Sequence, residues 1–381
     1  MAAALFRRSD RMLREATKYF KLGVVYSGCW NCRQGAKRYL LPENILQLQT
    51  FQQSKLQVAQ KRYGEKDIFF KTLEEKLKNH RIILKDELKT LLHLCQSKSD
   101  VEIAKKVLYR YHEENKNMLF QEFRFGPVFM RLCYELDLEE LGLELIKDQA
   151  LSGFFQDSTS FNILMDILFM KGHYESALEV LSEMKRQNIK FNRETYLLAC
   201  AICYKLNSAE SCRICATLLE GTALKGFSVP RRGYYFVVAL FLKQDDVAKA
   251  RLYYSQIIDR SSQLCHNLNI LLQAASGDTY KLIETLENTL DCNTPHFVRK
   301  VKFSMEVLQV VKEKLDNCPD VWDKFESVFT KLQELGQITP QTLDDLLCCT
   351  PGLRKHDSPF LRQREMRRRA QRSLSSTLLS E

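Results

Sequence analysis

The chain has 381 residues, of which only 14 are Gly and 8 are Pro, a scarcity of turn residues that excludes a loop-rich all-β protein and points to an all-α one. Its 13 cysteines show no pairing pattern, which suits a reducing compartment rather than a disulfide framework. The formal charge of +10 is concentrated at the two ends, and no apolar run approaches the roughly 18 residues that a membrane span requires.

Residues 1–40 hold nine basic side chains against Asp10 and Glu15. Leu5, Phe6, Met12, Leu13 and Phe20 share one face of a helix drawn through them. A basic amphipathic leader without an unbroken apolar centre is of the mitochondrial transit type rather than secretory. Its processing boundary is expected near Arg38-Tyr39. Residues 41–83 read as helices that precede a longer array.

From Leu84 to Leu290 the apolar residues recur in short helical pairs. Leu84 to Asn115 forms one pair through Leu88, Leu92, Val101 and Ala104, and Phe125 to Asp157 another through Leu138, Leu141 and Leu145. The clearest is Ser158 to Asn192. Phe161, Ile163, Leu164, Ile167 and Leu168 make a first stripe, Lys171-Gly172 a break, and Ala177, Leu178, Val180, Leu181 and Met184 a second stripe. Tyr196 follows Phe161 by 35 residues, so the next unit, Thr195 to Pro230, repeats the period. Arg231 to Cys265 and His266 to Leu290 complete the series. A pair this short cannot bury its apolar faces alone, and a repeat of this length therefore specifies an α-solenoid of stacked helical hairpins.

Residues 291–350 read as a capping bundle. It consists of helices over His296 to Asn317, over Pro319 to Leu335 with a stop at Gly336, and over Pro340 to Cys349 with Thr339 as cap. Residues 351–381 form a basic, flexible tail. Arg354 to Arg372 carries eight basic residues against two acidic ones, and Arg362, Arg364, Arg367, Arg368, Arg369 and Arg372 are candidates for phosphate contact. With both ends set aside, residues 41–353 carry a net charge near −2.

The unit Ser158 to Asn192 resembles the pentatricopeptide repeat. The resemblance is carried by Phe161-Asn162, Lys171-Gly172, Glu175-Ser176-Ala177-Leu178, Glu183-Met184 and Ile189-Lys190-Phe191-Asn192, with Phe191 standing where the family usually has Pro. The start Trp-x-x-Leu-Gly-x-x-Tyr of the tetratricopeptide repeat is missing. The resemblance implies that a residue near the start of the first helix and the residue closing the repeat together read one base. Here these are Asn162 and Asn192, with Thr159 beside the base plane and a pyrimidine preferred. The same two side chains also suit a helix start and a turn. In the next unit Leu197 and Pro230 cannot read a base edge. In the one after, Tyr235 has a ring able to stack on a base or to pack inside.

Cys200, Cys203, Cys212 and Cys215 approach zinc spacing, yet their counterparts one repeat earlier are Met165, Leu168, Ala177 and Val180. They read as core, so no metal and no cofactor is expected. None of the seven His lies in a hydrolase, zinc-protease or phosphate-loop motif, and no enzyme is expected. Leader, short array and basic tail in this order also resemble mitochondrial members of the family. They imply a non-catalytic matrix factor that binds single-stranded mitochondrial RNA along the first helices, for transcript maturation, processing or stability in support of the respiratory chain. Partners among RNA-processing or ribosomal proteins are compatible with this. The near-neutral body keeps open the alternative of a protein-interaction scaffold on the mitochondrial ribosome.

Overall fold

Residues 40–115, 123–224, 229–290, 300–315 and 319–349 are described by a computed structural model. The expected leader and the Arg-rich tail with its candidate phosphate contacts lie outside these residues.

Among the described residues the apolar periodicity of the array produces helices. Before the array come α1 (Glu43–Leu46), α2 (Leu48–Lys61) and α3 (Lys66–Lys78). Six hairpins follow: α4 (Lys85–Leu94) with α5 (Lys98–Asn115), α6 (Gly126–Glu135) with α7 (Glu139–Lys147), α8 (Ser158–Lys171) with α9 (Tyr174–Arg186), α10 (Arg193–Leu206) with α11 (Ala209–Leu224), α12 (Arg231–Lys243) with α13 (Val247–Ser255), and α14 (Gln263–Ser276) with α15 (Thr279–Glu287). The first helices α4, α6, α8, α10, α12 and α14 pack side by side as one layer, and each second helix packs on its own first helix. This is the α-solenoid that the repeat requires.

Local chemistry sets the joints. Gly172 ends α8 at φ +84°, a left-handed conformation that costs glycine nothing. Gly142 on α7 lets α8 approach so closely that a Cβ there would stand 2.9 Å from Leu164 Cδ1. Asp157 caps α8 by accepting from the Ser160 amide at 2.8 Å.

The C-terminal bundle departs from expectation in two places. Its first helix, α16 (Met305–Leu315), begins later than His296, because Phe303–Ser304 is extended as β1 and pairs in parallel with β2 (Ile338–Thr339). Thr339 is thus a strand residue, not a cap. The cap of the last helix, α18 (Leu343–Cys348), is Thr342, whose hydroxyl accepts from the Asp345 amide at 3.0 Å. Strands of two residues carry too little alternation to be read from sequence. Between the strands lie α16 and α17 (Pro319–Glu334). A separate apolar cluster around Ile270, Phe303, Phe325 and Leu332 unites this bundle with α14 and α15.

The inner face of the array is covered by the chain itself, which corrects the expectation of a face open along the first helices. Leu40, Leu41 and Leu46 are fully buried. The Leu40 and Leu41 amides both donate to Asp166 Oδ1 on α8 at 3.1 Å. Arg131 on α6 donates from Nε to the Leu46 carbonyl at 2.6 Å. Arg232 on α12 donates to the Leu40 carbonyl at 2.9 Å and, on its other side, to the carbonyls of Leu347 at 3.1 Å and Cys349 at 2.8 Å. Lys205 on α10 pairs with Asp344 of α18 at 2.6 Å. As a result Ser160 to Phe169 are buried without interruption. A helix buried on every side must be apolar all round, which is why α8 carries more than the single stripe of an amphipathic helix.

Candidate nucleic-acid interface

The junction between α8 and α10 is where the repeat pattern places base reading. Asn192 is the N-cap of α10, and its Oδ1 accepts from the Thr195 amide at 2.8 Å. Its Nδ2 donates to Ser158 Oγ at 3.0 Å. Asn162, one turn into α8, is 1% exposed. It donates from Nδ2 to Asn192 Oδ1 at 3.0 Å, and its Oδ1 stands 2.8 Å from the Thr195 hydroxyl. That hydroxyl lies equally close to Asn192 Oδ1. The structure thus brings Asn162 and Asn192 together, but as a closed network with Ser158 and Thr195 that joins one repeat to the next. Asn192 and Thr159 are half-buried and reach the surface, whereas Asn162 lies behind them.

The next junction but one is built alike. Tyr235, one turn into α12, is 3% exposed, and its hydroxyl lies 2.6 Å from the hydroxyl of Ser262, the N-cap of α14. Of the two uses that the sequence left open for Tyr235, the structure shows the packed one: its ring is not offered for stacking. Burial pushes its phenol above the usual range. Leu197, at the corresponding position of α10, is also buried.

In front of Asn192 and Thr159 lies a cleft of about 490 Å³ whose polar wall includes Gln47, Arg124, Arg131 and Glu194. Arg124 is exposed. Arg131 is half-buried, and burial lowers its pKa against the opposing pull of Asp157 and Glu43. A second cleft, of about 680 Å³, shares Arg124 and continues past Asp157 to Arg186 and Lys190. Arg124 therefore stands between two concavities. Neither it nor Arg131 belongs to a sequence motif; only the fold assembles them.

Asp166 is the other group that the sequence analysis passed over. It lies within the run Ile163-Leu164-Met165-Asp166-Ile167-Leu168, and a lone carboxylate in so apolar a helix signals a buried, partnered charge. Besides the two amides it accepts from Tyr134 Oη at 3.2 Å. Burial raises its carboxyl to about 7, with these hydrogen bonds and the Arg232 charge opposing.

Cys200, Cys203 and Cys215 are buried between α10 and α11, with Cys212 half-buried. A hydrogen bond to Cys215 and burial raise the Cys203 thiol, which disfavours the thiolate that metals and oxidants need. Among the described residues no three His, Cys, Asp or Glu side chains are arranged to hold a metal ion. Among them no helix is long and apolar enough to cross a membrane.

Comparison with known proteins bears on this architecture. The family described as Mitochondrial 28S ribosomal protein S27 matches residues 24–215. The protein named "Pentatricopeptide repeat-containing protein 2, mitochondrial" from Mus musculus is 50% identical over 381 residues, covering all of both chains. Its Homo sapiens counterpart is 50% identical over all of this chain and 98% of its own, and that of Danio rerio is 48% identical over 94% of each. A solved structure of the pentatricopeptide repeat protein PPR10 from maize aligns with 69% of this chain and 40% of its own at 15% identity, with a TM-score of 0.32. Identity near one half over the full length shows that the chain belongs to the pentatricopeptide repeat-containing protein 2 family, and over residues 24–215 to the mitochondrial 28S ribosomal protein S27 family.

Proposed function

We propose that this protein is a mitochondrial matrix factor that binds single-stranded mitochondrial RNA without catalysing a reaction. It acts in maturation, processing or stability of transcripts and so supports expression of the respiratory chain. The observation that carries this reading is the cleft in which Thr159 and Asn192 stand beside Arg124 and Arg131. A base edge can be met by the carboxamide while an arginine holds the adjoining phosphate. Because the inner face is filled, the strand runs along the starts of the first helices rather than across their length. Asn162 then serves by holding Asn192 in place. Phosphate contacts from the Arg-rich tail, Arg362 to Arg372, add sequence-independent affinity.

The test is crosslinking of RNA to the protein in intact mitochondria, with sequencing of the recovered RNA. Enriched sites that weaken with Arg124→Ala and change their base preference with Asn192→Asp support base reading. Recovery no greater than background rejects it. A second reading, a scaffold associated with the mitochondrial ribosome, is favoured by the match of residues 24–215 to a ribosomal-protein family. In that case the protein co-sediments with ribosomal subunits after RNase treatment, and Arg124→Ala leaves its sedimentation unchanged.

A further inference from the structure

Asp166 has a feature that neither packing nor RNA binding explains. It is a carboxylate with no exposed surface, and its Oδ1 accepts two successive backbone amides, those of Leu40 and Leu41. Its Oδ2 accepts from the neutral Tyr134 hydroxyl at 3.2 Å. The guanidinium nearest in electrostatic effect, that of Arg232, is occupied by three carbonyls. A buried charge held mainly by neutral donors is costly, and a cation at hydrogen-bond distance relieves that cost. The Leu40 nitrogen is already at 3.1 Å. The Leu40 side chain is sealed in the core. Arg38, the last basic residue of the leader, lies two positions upstream.

We propose that the leader is removed at the Tyr39–Leu40 bond and that the new α-ammonium of Leu40 forms a buried ion pair with Asp166, fastening the first segment across the inner face. Water adds across the amide: the carboxylate departs with Tyr39, and the nitrogen, protonated, stays on Leu40. The ammonium needs no rebuilding of the site, because it replaces an amide that already points at the carboxylate. Arg232 receives the Leu40 carbonyl, so the first residue is held at both its nitrogen and its carbonyl oxygen. Since Arg232 also holds the Leu347 and Cys349 carbonyls, processing at one end of the chain secures the docking of the other. Processing thereby strengthens a covering of the inner face that the unprocessed chain already shows. The inference rests on the mitochondrial reading above for removal of the leader, and on nothing in the RNA reading.

The experiment begins with the full-length precursor imported into isolated mitochondria. The recovered protein is analysed by mass spectrometry for its N-terminus, and its α-amine is labelled with an N-hydroxysuccinimide ester. The expected N-terminus is Leu40, labelled at least tenfold more slowly in the native protein than after unfolding in guanidinium. Asp166→Asn brings native labelling close to the unfolded rate. It lowers the melting midpoint of the processed protein but not that of the purified precursor, where no ammonium exists to lose its partner. A purely structural Asp166 would lower both alike, which overturns the proposal. An N-terminus at any other residue, or a Leu40 amine labelled equally fast in native and unfolded protein, also overturns it. These two results come from the unsubstituted chain and stand even if Asp166→Asn fails to accumulate. A precursor that is never imported rejects the mitochondrial reading as well, whereas an imported protein ending elsewhere rejects this inference alone.

Discussion

Asn192→Ala separates what the repeat junction does for stability from what it offers to RNA. The substitution removes the acceptor of the Thr195 amide, and loss of a helix N-cap costs about 1 kcal/mol. It also removes the acceptor of Asn162 Nδ2, on a residue only 1% exposed, for about 1–3 kcal/mol more. The hydroxyl of Ser158 is half-buried and can turn to solvent, so its loss adds little. The sum is about 2–4 kcal/mol. Asn192→Asp is the control. Its carboxylate still accepts from the Thr195 amide and from Asn162, takes a proton donor from Ser158, and suits the positive end of α10. It should stay within about 1 kcal/mol of the native chain. The assay is urea unfolding followed by circular dichroism, read as a shift in midpoint at constant slope. If Asn192→Ala unfolds within about 0.5 kcal/mol of the native protein, the junction is not the closed network described, and the argument that Asn162 acts by positioning Asn192 fails with it.

Other consequences follow from particular contacts. Gly142→Ala puts a methyl 2.9 Å from Leu164 Cδ1, and is expected to cost about 1–3 kcal/mol by overpacking, read as a lower melting midpoint. If Arg124 holds one phosphate, Arg124→Ala lowers the slope of log affinity against log salt by about 1 in RNA titrations, leaving base preference unchanged. Lys205→Met removes the partner of Asp344 and loosens α18 from α10, so limited proteolysis should cut between Leu335 and Leu343 sooner than in the native protein. In a chain still joined at Tyr39–Leu40, the carboxyl of Asp166 rises to about 7, so the folded state binds its proton more tightly than the unfolded one. Stability therefore falls as pH rises from about 4 to about 7 and is level above that, by at most about 4 kcal/mol. Asp166→Asn abolishes the slope, and a native precursor equally stable at pH 5 and pH 8 refutes the assignment.

The hairpins are legible because each has to satisfy the same condition, an apolar face too small to stand alone, and because breaks fall at residues that accept left-handed backbone, Gly172 and Gly277 or Asp137, Asn207 and Asp245. The residues of the candidate site were legible in position but not in state. Nothing in the spacing of Asn162 and Asn192 says that they bind each other, since that depends on how closely α8 and α10 approach. Tyr235 was ambiguous for the same reason: a tyrosine at a helix start packs or stacks according to the neighbour it meets, here Ser262. Arg124, Arg131 and Arg232 are ordinary in sequence and acquire their roles from carbonyls and clefts contributed by distant segments. Asp166 did leave a signal, one carboxylate inside an apolar run, though the run alone cannot reveal that its partners are amides 125 and 126 positions away.

The filled inner face bears on how a solenoid of this size could hold RNA at all. Residues 41–353 carry a net charge near −2, too little to attract a polyanion along their whole length. Were the segment from Leu40 to Leu46 to leave, it would uncover Asp166, whose charge repels phosphate, beside the apolar surface that Leu40, Leu41 and Leu46 now cover. It would also remove Gln47 and Asn44 from the cleft wall. An opened inner face is thus a worse site for RNA than the closed one. Leu41→Asp, which cannot be buried against Asp166, should release the segment, make it susceptible to protease, and weaken RNA binding. Tighter RNA binding by that variant would mean instead that the segment competes with RNA for the first helices, and that the strand lies across the inner face rather than along its rim.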